Sequence, residues 1–149
     1  MKKTKTWILV ADGARARIFR NDGPDRGLQR AIASNFGAPR APDRAYGTDR
    51  PGRARRGPGG PPQGFAPAVD WHRYEKTRFA RDMAALLNRH ALRRSFDRLV
   101  LVAPPAVLGD LRRNLDKPAL AAVTAEVAKD LTHLTRHELP RRLEDVMVL

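Results

Sequence analysis

Two short runs constrain this chain more than anything else in it. Trp7-Ile8-Leu9-Val10-Ala11 and Leu99-Val100-Leu101-Val102-Ala103 are both unbroken in apolar character. A strand with one face in water alternates apolar and polar side chains, whereas a strand covered on both faces does not. Both runs therefore predict central strands of a sheet that is packed on each side. A whole helical pattern lies between them. The two strands are expected to run parallel, because a parallel pair needs a crossover of that length.

The neighbouring segments extend the sheet. Asp12-Gly13 is a turn signal, and Arg15–Arg20 alternates, with Ala16 and Ile18 on one face and Arg15, Arg17 and Phe19 on the other. A second strand, antiparallel to the first, follows from that period. Asn21–Gly27 turns the chain again, and Leu28–Asn35 is expected to be a third strand anchored by Leu28 and Ile32. Phe79, Met83, Leu86, Leu87 and Ala91 form the stripe of a helix from Asp70, its expected cap, to about Arg94. Arg73, Arg81, Arg89 and Arg93 lie mostly off that stripe, which gives the helix a basic side. Pro105 opens a second helix with Val107, Leu108, Leu111 and Leu115 inward. Val123–Val127 alternates as an edge strand. Thr135-Arg136-His137-Glu138 matches a capping box ahead of a last helix, with Leu139, Leu143, Val146 and Met147 inward. The expected fold is α/β: one domain over 1–149, a mixed five-stranded sheet in ribonuclease-H-like order, β-β-β-α-β-α-β-α.

Residues 37–69 interrupt this regularity. They hold seven of the 11 glycines and seven of the 12 prolines, with six arginines against two aspartates. Such a segment buries too little apolar surface to offset its ordering entropy. It reads as a flexible Arg/Gly/Pro-rich insertion.

The charge balance bears on partners. Lysine and arginine total 29 and aspartate and glutamate 16, a net of +13. That excess points to a polyanion such as RNA, DNA or an acidic membrane surface, although a GC-rich genome also raises arginine. There is no cysteine, so neither a disulfide nor a thiolate metal site can form. The first apolar run is too short for a signal-peptide core or a membrane span, and the protein is expected to be cytoplasmic.

Catalytic constellations are sparse. Asp12 ends the first apolar run where a metal-dependent nuclease would place a ligand, but the second run ends in Ala103-Pro104 with no acid. Asp12 reads as a turn residue and Asp82 as an ion-pair partner of Lys76, Arg78 or Arg81. His133 and His137 are four apart, a spacing a helix can use for a metal, but with no third ligand near in sequence. No metal and no cofactor is expected. Gly57–Gly64 lacks the Lys-Ser/Thr ending of a phosphate loop. Arg50, Arg53, Arg55, Arg56, Arg73, Arg78 and Arg81 are the expected contacts to nucleic-acid phosphates, with Phe65, Trp71 and Tyr74 available to stack on bases.

Three pieces carry a resemblance: WILVADGARARIF from Trp7, LVLVAPPAVLGDLRRNL from Leu99, and VTAEVAKDLTHL from Val123. In this order they resemble the bacterial family of host attachment proteins. That family is in turn similar to the middle domain of eukaryotic and archaeal class 1 peptide-chain release factors. The release-factor loop carries Gly-Gly-Gln ahead of a long helix, and the corresponding place here holds Gly59, Gly60 and Gln63, with Pro61 and Pro62 between. The prolines fix φ and reshape that loop. The resemblance implies a cytoplasmic RNA- or ribosome-associated binding protein. An indirect accessory of attachment, and a residual peptidyl-tRNA hydrolase using Gln63, Gly59 and Gly60, are the alternatives. Neither an intact Gly-Gly-Gln nor a full nuclease carboxylate set favours an enzyme, and oligomeric state is open.

Overall fold

A computed structural model describes residues 3–33, 35–37 and 68–147. Arg50, Arg53, Arg55, Arg56, Gly59, Gly60, Gln63 and Phe65 lie outside the described residues. So does most of the expected insertion: Gly37 already belongs to a strand, and Ala68 and Val69 to a helix.

The first apolar run is strand β1 (Thr6–Ala11), every residue of which is buried. It pairs antiparallel with β2 (Arg15–Asn21) and parallel with β5 (Arg98–Val102), the second apolar run. Two further strands, β3 (Gln29–Arg30) and β4 (Phe36–Gly37), both pair antiparallel with β2. β6 (Val123–Val127) pairs parallel with β5 at the other edge. The sheet therefore has six strands, in the order β3-β2-β1-β5-β6 with β4 also on β2.

The expected five-stranded sheet needs one correction. Of the expected third strand, only Gln29 and Arg30 are strand among the described residues. The Arg30 guanidinium donates to the Ala33 carbonyl and to Asn35 Oδ1, curling the chain out of the ladder. Phe36 then re-enters opposite Ala16. The turn before β3 is held by Asn21, whose amide donates to the Gly27 carbonyl at 2.8 Å and accepts from Gly23 N–H at 3.1 Å. Gly27 sits at φ +66°, which a side chain would resist.

Helix α1 (Ala68–Leu92) crosses from the antiparallel half of the sheet to β5. It begins ahead of Asp70, which therefore lies inside the first turn instead of capping it. Helix α2 (Pro105–Asn114) starts at the proline as expected and buries Val107, Leu108 and Leu111. A further helix, α3 (Lys117–Ala122), was not foreseen. One-turn helix α4 (Leu139–Leu143) ends the chain order. Thr135 and Glu138 do exchange the two capping-box bonds: Thr135 N–H donates to Glu138 Oε1 at 2.9 Å, and Glu138 N–H to Thr135 Oγ1 at 3.2 Å. They close a turn before α4. Leu139 and Leu143 are fully buried, Met147 is partly so, and Val146 stays 36% exposed.

The alternation of β1 and β5 divides the core in two. Trp7, Leu9, Leu99 and Leu101 face α1 and α2, where Met83, Ala84, Leu87, Leu108 and Leu111 meet them. Ile8, Val10, Val100 and Val102 face the other way, under Leu131, Leu134, Leu139 and Leu143 of the C-terminal segment. Doubly apolar strands are required because both faces are covered.

Candidate functional site

The N-terminal half of α1 reaches past the core. From Trp71 to Arg78 every residue is exposed, and burial starts at Phe79 and Ala80. Ala80, Met83, Ala84 and Leu87 form the buried face. On the opposite face Trp71, Tyr74, Arg78, Arg81, Ala85 and Arg89 follow helical spacing, all exposed. Trp71 is 60% and Tyr74 53% exposed, and their rings stack with centroids 5.7 Å apart and planes at 28°. None of Arg78, Arg81 and Arg89 has a carboxylate within ion-pair distance among the described residues. Asp82, expected to pair with its basic neighbours, is exposed and has none of them within ion-pair distance among the described residues. From Trp71 to Arg94 there are seven lysines and arginines against Glu75 and Asp82.

The structure brings Arg78 and Arg81 onto one strip and sets Arg73 apart. By helical period Arg73 lies on the side of Ala80 and Leu87, and it is exposed because the core ends before reaching it. The sequence expectation of one basic side holding both Arg73 and Arg81 is corrected accordingly. Lys76 shares the inner side, and its stem lies across Gly13. A Cβ on Gly13 would come within 2.5 Å of Lys76 Cγ and 2.8 Å of Cδ. The projecting half of α1 is thus seated on the β1–β2 turn.

That turn is built by Asp12. Its Oδ1 accepts from the N–H groups of Ala14 and Arg15, both at 2.7 Å, and its Oδ2 lies 3.6 Å from the Arg15 guanidinium. Asp12 acts as the turn residue expected of it. The same carboxylate is 3.4 Å from Thr132 Oγ1, which donates to Asp130 Oδ1 at 2.5 Å. The Thr132 hydroxyl bond holds the Asp130 carboxyl below its ordinary range, against a smaller opposing effect of burial. Arg17 donates to the carbonyls of Thr132, at 2.9 Å, and Leu134, at 2.5 Å, and its guanidinium lies 5.3 Å from the Phe19 ring centroid. It ties the C-terminal segment to the sheet. A cleft of about 250 Å³ beside this tie is lined by Val10, Arg15, Ala16, Arg17, Asn35, Phe36 and Thr132.

No group of three metal-ligating side chains occurs among the described residues. His133 and His137 lie on turns, so their spacing does not set them on one helix face. His90 is half-buried, with its ring 4.8 Å from that of Trp7 and Nδ1 2.9 Å from Ser95 Oγ. Burial, with Arg93 and Arg89 nearby, lowers its pKa. The Lys76–Gly13 seat and the Asp12–Thr132–Asp130 chain have no counterpart in the sequence reading. Both join residues distant in the chain, and no local pattern announces them.

Residues 7–143 match the family described as "Protein required for attachment to host cells", and the chain belongs to that family. No curated protein matches it. Among solved structures it is similar to an archaeal translation termination factor, aRF1, with a TM-score of 0.49 and 11% sequence identity. The likeness covers 95% of this chain and 38% of that one, so the chain spans little more than a third of the factor's length. No helix among the described residues is long and apolar enough to cross a membrane.

Proposed function

We propose that this host attachment family protein is a cytoplasmic RNA- or ribosome-associated binding protein, with α1 as its principal contact. The observation that supports it is the exposed row of Arg78, Arg81 and Arg89 on a helix that projects beyond the core, in a chain of net charge +13. Each arginine that neutralises a phosphate releases a counterion, so affinity rests on charge and falls steeply with salt. Arg73 and the arginines at positions 50, 53, 55 and 56 add to the same field. Co-sedimentation with ribosomes tests the reading. Association is expected at low salt, loss at high salt, and weakening in a chain lacking residues 37–69. No association at any salt would overturn it.

The family description favours a second reading, an indirect role in attachment to host cells without nucleic-acid binding. It predicts an attachment defect on deletion that Arg78→Gln with Arg81→Gln does not reproduce. The enzymatic form of the first reading is hydrolysis of peptidyl-tRNA through Gln63, which precedes α1 in the sequence. Hydrolysis unchanged by Gln63→Ala would remove it.

A further inference from the structure

We infer that the outer strip of α1 takes an unpaired, single-stranded segment of RNA, with Trp71 and Tyr74 holding bases and Arg78, Arg81 and Arg89 the phosphates that follow. The inference rests on the RNA-binding reading and narrows it to a class of RNA structure.

Two observations carry it. The first is the aromatic pair. Large aromatics normally bury most of their surface, yet Trp71 and Tyr74 are 60% and 53% exposed and stack on each other, with centroids 5.7 Å apart. Their mutual stack fixes both rings on a regular helix and leaves ring surface open to a further planar group. Bases inside a duplex are already stacked and offer no face to it. Sequence-tolerant stacking on protein aromatics belongs to unpaired bases.

The second observation is position. The arginines lie on the same strip as the rings, beginning one turn beyond Tyr74. At a rise of about 1.5 Å per residue, Arg78 and Arg81 stand roughly 10 and 15 Å along the axis from Trp71. A strand stacked at Trp71 and Tyr74 and running along α1 therefore meets one cation after another. The Lys76 stem lies across Gly13 and seats this part of the helix on the β1–β2 turn, and a helix already formed has less to order on binding.

The same residue types also occur on helices that lie in membrane interfaces. Those bury a continuous face of Leu, Phe and Trp. Here the strip passes from two aromatics straight to arginine and alanine, and among the described residues its large exposed aliphatic is Leu92, about 27 Å from Tyr74 along the axis. Charge complementarity and the confinement of aromatics to one end favour RNA.

The test compares oligouridylate as a single strand with the same strand annealed to oligoadenylate, at low salt, using the full-length protein. Trp71 fluorescence is the readout, since Trp7 is buried at 5% exposure and Trp71 is open. The single strand is expected to bind about tenfold or more tighter than the duplex and to quench Trp71. Trp71→Ala with Tyr74→Ala, followed by binding to a labelled strand, should abolish that preference and leave duplex affinity unchanged. Trp71→Phe with Tyr74→Phe should keep it. Both residues are exposed, and an unchanged unfolding midpoint checks that the variants are folded. Equal affinity for strand and duplex, insensitive to the alanine pair, would overturn the inference and leave the RNA-binding reading standing. Binding to neither RNA would overturn both, and binding instead to phosphatidylglycerol vesicles through Trp71 and Tyr74 would assign the strip to a membrane surface.

Discussion

Gly13 and His90 show how single residues set local demands here. Gly13 is needed for space, since the Lys76 stem occupies the volume a Cβ would take. Gly13→Ala forces Lys76 off its rotamer and is expected to lower stability by about 1 kcal/mol. In a Lys76→Ala background the same change should cost much less, and urea unfolding of the four proteins in the cycle measures the difference. His90 bears on pH dependence. Its pKa is lowered in the folded protein, so the unfolded chain takes up the proton first. Stability from this group is therefore full above the ordinary histidine range and falls as pH drops through it. His90→Phe should flatten that fall in denaturation midpoints taken across the range. Asp130 acts at lower pH: its depressed pKa means a contribution present above the ordinary aspartate range and lost as pH falls through the folded value. Asp130→Asn should remove that acid-side loss.

Among the elements, α1 is exposed from Trp71 to Arg78 and packed on the core from Ala80 onward. Leu87 is fully buried against the sheet, and Leu87→Ala is expected to cost about 2–5 kcal/mol in urea unfolding. Arg78→Gln, on the projecting outer strip, should change stability by about 0.5 kcal/mol at most. Equal losses at both sites would contradict the division. The C-terminal segment depends on Arg17, which serves the carbonyls of Thr132 and Leu134. Arg17→Met leaves both without that donor and is expected to destabilise by about 1–3 kcal/mol. The elements also show what a sequence can tell. β1 and β5 were legible because five apolar residues in a row leave little choice but a doubly covered strand. The third strand was misread because Ile32 suggested continuity, while the Arg30 bonds to Ala33 and Asn35 that curl the chain have no periodic signature. α3 was missed because Lys117–Ala122 is too short to show a stripe. In the candidate site, the basic character of α1 could be read from composition. The separation of Arg73 from Arg78 and Arg81 depends on where the sheet stops beneath the helix, and that is a tertiary fact.

At the scale of the whole molecule, the sheet and its two apolar layers hold α1 so that Trp71–Arg78 lie beyond the core. Charge then decides what that part can meet. An excess of 13 positive charges repels itself in the isolated protein and is relieved by a polyanion. Membership of the host attachment family fixes the protein's relatives, and the proposed RNA contact rests on the projecting helix. The most direct measurement is the salt dependence of affinity for single-stranded RNA, for the wild-type protein and for Arg78→Gln/Arg81→Gln/Arg89→Gln. The account predicts a linear fall of log affinity with log salt. It also predicts a slope shallower by about 2 in the variant, at roughly 0.7 for each lost phosphate contact. An identical slope in the two proteins would contradict it.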